Sequence, residues 1–430
     1  MSFGGGFSSF PKKTGIYGDP APLLGAVQEP IQGFVRPQGV MRPPEIVFLK
    51  AKAPPLTKLE PQIMWAGIIH GYSGYAKANR EIIRRVGKSV LVGLSKDSPW
   101  NEAEKVEDHV KLHEIFGANI IDQRAAQITF HPPRSESRPG YRVIYTMMET
   151  EVVHPDMIHI MNSQYHECWV PTSWNERTFK KSGLTIPTRV MPLGIDPAVY
   201  SPQVTAMMPK SLRLTGKAAG KYEIPGGFLF IYVCHPTFRK GIEVVIEAFA
   251  HAFASDPDAG LVIASTAHSS SLFQPDPSVG AKIWLLDAPL SERDLAGVYR
   301  ACKVYVCASR GEGWNLPMME AAAVGLPVIV PRTSAHPDLV PEDQGFFFNP
   351  DHTTVFPTAK EVSQWFDGIA FPDFGDKSIE ELIRTMRMVR QGYRSAKEVG
   401  LRYMNTVRTK YTWDLAAGNV VRRIRELCGG

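Results

Sequence analysis

Two glutamates with seven residues between them, Glu312 and Glu320, bracket the stretch Gly313-Trp314-Asn315-Leu316-Pro317-Met318-Met319. A carboxylate accepts two hydroxyl hydrogen bonds at once, so Glu320 suits a ribose diol and Glu312 a sugar hydroxyl. A plainer account exists for each: Glu320 as a complement to a helix dipole, and Glu312 as a solvated loop charge. The stretch between them is more specific. Lys303–Ala308 reads as a buried strand, Ser309–Leu316 as the loop at its carboxyl end, and Pro317 as a first helical residue. Met318–Val324 follows as a short helix stopped by Gly325, and Leu326–Val330 as the next strand. Ligands in open α/β sheets bind outside the carboxyl ends of strands, and free N–H groups at a helix N-terminus favour an anion.

The elements that must hold this loop repeat the same grammar on both sides of a break. After Pro61, Ile63–Gly67 is a short apolar strand, His70-Gly71-Tyr72-Ser73-Gly74-Tyr75 a Gly-rich loop, Ala76–Val86 a helix and Ser89–Leu94 a strand. Tyr141–Met147, leading into Glu149-Thr150-Glu151, and Glu167–Pro171 continue the series. A polar stretch over 201–226 interrupts it, and strands resume at 228–233, 261–265, 282–286, 303–308 and 327–331. The expected fold class is therefore α/β, with two Rossmann-like doubly wound domains facing across a cleft. Ten of the 35 prolines and eight of the 36 glycines fall in residues 1–61, read as an extended N-terminal arm. The expected domains are 62–200, completed by a terminal helix over 411–430, and 201–410.

Composition narrows the class. A chain of 430 residues with 44% hydrophobic and 21% charged residues exceeds one ordinary core and is neither disordered nor fibrous. No apolar run reaches the roughly 18–20 residues of a membrane helix, and the N-terminus lacks the pattern of a secretory signal. Five cysteines (168, 234, 302, 307 and 428) form no CxxC pair, so they read as core thiols of a reducing compartment, and the expected location is cytoplasmic. The net charge of +5 is unevenly spread: residues 1–61 carry +3 and 376–430 carry +6, leaving 62–375 at −4.

The window Glu312–Ala321 with Gly325-Leu326-Pro327-Val328-Ile329 closely resembles the E-x7-E signature of GT-B glycosyltransferases, especially the retaining family 4. Phe238-Arg239-Lys240-Gly241 through Phe249 resembles that family's RKG element, Val190–Asp196 its PxGxD segment, and Gly71–Tyr75 its N-terminal Gly-rich loop. The Tyr411–Asp414 helix also fits, and the motifs occur in the family's order over roughly 64–340. The resemblance implies a transferase moving a sugar, with retention of configuration, from a nucleotide-diphosphate donor, UDP- or GDP-linked, to an acceptor. It assigns Arg239 and Lys240 to the diphosphate, Glu320 to the ribose, Glu312 to the transferred sugar, and the backbone of Gly313, Trp314, Asn315 and Leu316 to sugar and phosphate. Gly71 and Gly74 would let the first domain's backbone approach the ligands, and Glu149 would face the acceptor. Asn315 stands where the family commonly has Gly, and Trp314 where it has Phe. The family's first-domain histidine has two candidates, His131 and His154.

The acceptor stays open: a glycan, a lipid-linked or small molecule, or bases in DNA, with a catalytically silent assembly scaffold as the reading from another class. No cofactor or metal is expected: the histidines lack ligand spacing, and Asp256-Pro257-Asp258, though it matches an Asp-x-Asp metal motif, follows a helix in a turn-like context. Arg384, Arg387, Arg390 and Arg394 fall on one side of a single helix, a solvated face or a patch for an acidic partner at the C-terminal helices. Oligomeric state is not legible.

Overall fold

The computed structural model describes residues 61–69, 71, 73–95, 119, 125–130, 132, 140–209, 213–214, 227–265, 282–287, 290–355, 364–366 and 368–428. The arm expected over 1–61, apart from Pro61, lies outside the described residues, as do His131 and most of the expected linker.

Six strands form the first sheet: β1 (Gln62–Gly67), β2 (Leu91–Leu94), β3 (Ala126–Phe130), β4 (Arg142–Tyr145), β5 (Glu167–Val170) and β6 (Thr188–Val190). Their order is β2-β1-β3-β4-β5-β6 and every pairing is parallel. Strand β3 escaped the sequence reading; AQITF is buried along its whole length but too short and mixed to announce itself. Helix α1 (Gly74–Val86) starts where the Ser73 side chain accepts a hydrogen bond from the Ala76 amide at 3.1 Å. Its face of Ala78, Ile82, Ile83 and Val86 is buried, and its last turn carries Arg84 and Arg85, which favour the helix C-terminus. Asn79, buried on the same helix, accepts from the Trp65 indole of β1 at 2.6 Å and donates to the Phe130 carbonyl of β3 at 3.2 Å. Helices α2 (Pro155–Gln164) and α3 (Ser173–Lys181) complete this layer.

The second sheet has the order β13-β12-β11-β8-β9-β10-β7, built from β7 (Arg213–Leu214), β8 (Phe228–Val233), β9 (Ala259–Ser265), β10 (Lys282–Asp287), β11 (Val304–Val306), β12 (Val328–Pro331) and β13 (Phe346–Phe348). All pairings are parallel except that of β7 with β10. Central β8, FLFIYV, is buried at every position, as a parallel strand covered on both faces must be. The helices are α4 (Ile242–Phe253), α5 (Glu292–Ala301), α6 (Leu316–Ala323), α7 (His336–Leu339), α8 (Asp376–Gln391), α9 (Tyr393–Lys410) and α10 (Trp413–Leu427), and a small hairpin pairs β14 (His352–Val355) with β15 (Ala370–Asp373). Gly392 divides α8 from α9, so the four arginines do not share one helix: Arg384, Arg387 and Arg390 lie on α8 and Arg394 on α9.

Both sheets belong to one compact unit, Pro61–Gly430. Chain return ties them together. Ile195 bridges Thr412, with the Trp413 amide donating to the Ile195 carbonyl at 3.1 Å, and this sends α10 back against α1. At its far end the Arg423 guanidinium meets the Glu167 carboxylate at 2.5 Å. Glu167 is 1% exposed and also accepts from the Trp169 indole at 2.8 Å and the Tyr141 hydroxyl at 3.0 Å. Burial is the largest single influence and works against its charge, but the hydrogen bonds from Arg423, Trp169 and Tyr141 and the Arg423 charge together outweigh it, and the carboxyl sits below its ordinary range. Among the described residues no helix is long and apolar enough to cross a membrane.

Replacing Glu167 removes the acceptor of the Trp169 indole and one of the two carboxylates of Arg423, which keeps Glu426 at 2.7 Å, and breaking a largely buried pair from one side costs up to roughly 3 kcal/mol. Glu167→Ala is expected to lower urea stability by about that amount and to raise hydrogen exchange across 413–427; an unchanged midpoint would show that the terminal helix is held by apolar packing alone.

Candidate active site

The loop between β11 and α6 is fixed from two directions. On one side, the turn 333–336 grips both ends of its centre. The Glu312 amide donates to Ser334 Oγ at 3.0 Å, and the Ala335 amide donates to the Glu312 carbonyl at 3.2 Å. Asn315 adopts a left-handed conformation, φ 60°, which Asn tolerates better than most residues. Its Oδ1 accepts from the Met318 amide at 3.2 Å, so α6 begins at Leu316 with Asn315 as its cap and Pro317 second, one residue earlier than Pro317 alone predicts. Its Nδ2 lies 3.0 Å from His336 Nε2. The departure from glycine therefore preserves the turn and adds a cap.

On the other side stands the turn that carries Arg239 and Lys240. Arg310, 4% exposed, braces it from beneath: NH1 donates to the Phe238 carbonyl at 2.5 Å, Nε meets Asp373 at 2.6 Å, and the guanidinium lies 3.9 Å over the Phe238 ring. The Tyr232 hydroxyl adds a 2.5 Å bond to the Lys240 carbonyl. So held, Lys240 Nζ is 2.5 Å from Glu312 Oε1, and Arg239 NH1 is 3.3 Å from Glu312 Oε2. Arg239 NH2 also reaches Glu149 Oε1 of the first layer at 3.7 Å. Burial opposes ionisation of Glu312, yet the Lys240 and Arg239 charges prevail and hold its pKa at about 2. Glu149 goes the other way: burial raises it, and Arg239 only partly offsets that. Both cations thus have carboxylate partners here, but an ammonium has three donors and a guanidinium five, which leaves N–H groups for further oxygens.

Glu320 is 4% exposed. Its Oε1 is 2.6 Å from Lys77 Nζ, and the Tyr299 hydroxyl donates to Oε2 at 3.4 Å. Lys77 belongs to α1 of the first layer, and it also meets Glu292 at 2.9 Å and the Tyr200 hydroxyl at 2.9 Å. Burial raises the Glu320 pKa despite that lysine, while burial of Lys77 is outweighed by Glu320 and Glu292, which raise its own.

First-layer residues meet this loop along its length. A Cβ on Gly311 would collide with the Glu149 carbonyl, and one on Gly313 would lie 2.7 Å from Met147 Cβ. Asn175 Nδ2 donates to the Gly313 carbonyl at 3.1 Å, and a Cβ on Gly74 would sit 3.5 Å from Leu316. Trp314 is buried edge-on against Tyr411, ring centroids 5.4 Å apart. Gly71 has φ 87° and its carbonyl accepts from Arg80 at 2.8 Å. The structure therefore gathers Glu312, Lys240, Arg239, Glu149, Glu320, Gly313, Trp314, Asn315, Leu316 and Gly74 around one loop, with Gly71 just before α1. His154 does not join them: it caps α2 through Asp156 and lies edge-on to Trp365, 6.1 Å away.

Sequence reasoning missed Lys77, Asn175, Ser334 and His336. Lys77 looks like any exposed helix lysine, and its partner lies 243 residues on. The other candidates resolve plainly. Asp256 and Asp258 pair with Arg390 at 3.6 and 2.8 Å, and Arg387 donates to the carbonyls of His251 and Ala252. Among the described residues no group of His, Cys, Asp and Glu could hold a metal ion. A groove of about 580 Å³ between α1 and α10 is lined by Arg85, Lys88, Arg422 and Arg425 together with Asp414 and Glu426.

Two facing doubly wound sheets, with a strand-end loop of the second abutting the first, define the GT-B architecture. Residues 227–362 match the family model of the glycosyl transferases group 1. That match covers 136 of the 430 residues and includes the strand-end loop, and the fold is of the GT-B type that the motif resemblance implied. A putative glycosyltransferase of Sulfolobus islandicus filamentous virus is 21% identical over 247 residues, 55% of this chain; the chain spans 61% of that relative's length. The D-inositol 3-phosphate glycosyltransferase of Corynebacterium glutamicum is 36% identical over 114 residues, 24% of this chain and 27% of that protein. Among solved structures, Anabaena HepE in complex with UDP and glucose superposes with a TM-score of 0.59 at 11% identity, covering 85% of this chain and 99% of that one. Sucrose-phosphate synthase from Thermosynechococcus elongatus gives 0.57 at 12% identity over 86% and 99%. At such identities these two likenesses describe the fold.

His336 generates a prediction about acid. Burial, only partly countered by Glu312, lowers its pKa to about 4 in the folded chain, against an ordinary 6.5. Between those values the unfolded chain binds more protons, so stability rises with pH and is lost as pH falls from 6.5 toward 4, by up to about 1.4 kcal/mol per unit. Urea unfolding at pH 7, 5.5 and 4.5 should show that slope, and His336→Gln should flatten it.

Proposed function

We propose that this protein transfers a sugar from a UDP- or GDP-linked donor to an acceptor hydroxyl, with retention of anomeric configuration, as in glycosyltransferase family 4. The observation that carries the reading is the convergence of Arg239, Lys240, Glu312 and Glu320 on one strand-end loop, two carboxylates flanking an amide-rich turn beside two braced cations. The family match over this same region and the UDP and glucose seen in HepE support it.

In this reading the ribose diol sits on Glu320 and the diphosphate on Arg239 and Lys240. As the bond from the anomeric carbon to the phosphate oxygen breaks, negative charge grows on the leaving oxygen. Cations and amide dipoles fixed beforehand stabilise it without reorganising, the largest kind of rate contribution available to such a site. We assign that work to the two side chains and to the amides of Gly313–Leu316, with no cofactor or metal. Glu312 aligns Lys240 and orients the sugar. Glu149, pushed up by burial, faces the incoming hydroxyl and takes its proton. The acceptor enters from the first layer by Gly71 and Gly74, and its anionic portion, or another acidic partner, would meet the basic C-terminal surface. All five cysteines are free thiols, four of them buried, which suits the cytoplasm.

Three measurements test this. UDP and GDP, then their sugar conjugates, should raise Tm, and titration should give saturable binding to one nucleotide class; absence of any such binding would remove the donor assignment. Glu320→Ala is expected to weaken nucleotide binding about tenfold, the loss of hydrogen bonds to a charged acceptor. Lys240→Ala should lower kcat by about 10² to 10³ with the fold intact by circular dichroism, and near-wild-type transfer would take the diphosphate away from Lys240.

A further inference from the structure

The imidazole of His336 is 0% exposed and belongs to neither sheet, yet it sits directly behind the loop to which the reading above assigns the donor. Its Nδ1 lies 3.1 Å from the Thr333 carbonyl, which can only accept, so the proton resides on Nδ1 and leaves Nε2 as an acceptor. Asn315 Nδ2 points at that acceptor from 3.0 Å. This fixes which way round the Asn315 amide stands, and so aims Oδ1 at the Met318 amide, 3.2 Å away, and at the Tyr305 hydroxyl, 3.4 Å away. Cys307 fills the remaining side, its sulfur 3.6 Å from Asn315 Nδ2 and 3.8 Å from His336 Nε2. The same turn that supplies His336 supplies Ser334, bonded to the Glu312 amide. One turn therefore holds the loop at both the first carboxylate and the helix cap.

We propose that His336 and Asn315 are a positioning pair for the donor: through Asn315, His336 locks the amides of residues 313–316 in the one arrangement that receives sugar and phosphate. A glycine at 315 would reach the same left-handed conformation at no steric cost but would leave the loop free to sample others. Locking it beforehand removes that ordering cost from the binding step. The proposal rests on the donor reading, and its structural half is measurable without any donor.

The test uses the full chain with His336→Leu, His336→Gln, Asn315→Gly and the double variant Asn315→Gly/His336→Leu. Glutamine places an amide oxygen where Nε2 stands and leucine places none, at similar volume. Hydrogen exchange at the Met318 amide, read without ligand under native conditions, is expected to accelerate at least tenfold in the leucine variant and to return toward wild type in the glutamine variant. Titration with UDP and GDP should show affinity falling about tenfold for leucine, recovering with glutamine, and falling no further in the double variant than in Asn315→Gly. A structural role alone would move Tm while leaving nucleotide affinity level across variants that remain folded, and that result overturns the proposal. Additive losses in the double variant, or Met318 exchange unchanged by leucine, overturn it as well. Should the wild type bind neither nucleotide while the exchange pattern holds, the donor reading fails and takes the positioning role with it.

Discussion

The Glu312 carboxylate, 6% exposed, lies between an ammonium at 2.5 Å and a guanidinium at 3.3 Å. Such a charge is tolerable in so dry a place only if its partners are held with equal firmness. Much of the surrounding structure answers that requirement. Arg310 and Tyr232 fasten the backbone that bears the two cations, and the turn at 333–336 fastens the backbone that bears the carboxylate. Oppositely charged groups arrive from two different strand ends of one sheet, so the geometry of the site is the geometry of the parallel sheet beneath it.

The second dependence runs across the cleft. Glu149, Asn175 and Lys77 come from three separate places in the first layer and reach Arg239, the Gly313 carbonyl of the loop and Glu320 of α6. Each contact is polar or ionic, and glycines at 311 and 313 let the two backbones approach without side chains between them. Interfaces of this kind are more easily parted than apolar ones, which is what the proposed nucleotide-linked donor would require of this cleft. The terminal helix supplies the opposite property. Its tie through Ile195 and Thr412 and its Arg423–Glu167 pair hold the ends of the first layer together while the cleft works.

Much of the fold was legible because parallel strands buried on both faces write unbroken apolar runs such as FLFIYV, and because Ser73 and Pro317 mark helix starts. Strand β3 was not, its alternation being lost in a short mixed segment. The single helix read over the four arginines is two, because Gly392 stops α8 and no periodicity argument weighs one glycine heavily enough. The candidate site was legible where it is local: Glu312, Glu320 and the turn between them lie within nine consecutive residues. Arg239 and Lys240 were legible only through a resemblance.

By itself, the sequence determined the alternation of strands and helices, the strand-end loop with its two carboxylates, and the solvent-averse thiols and aromatics that fill two cores. Tertiary structure alone decided what those carboxylates touch. Lys77 reaches Glu320 over 243 residues of chain, Asn175 reaches Gly313 over 138, and His336 reaches Asn315 from the far side of a strand. The physical reason is that local propensity and burial depend on neighbours in the chain, whereas the partner of a buried charge or amide depends on which strand ends the sheet order brings together.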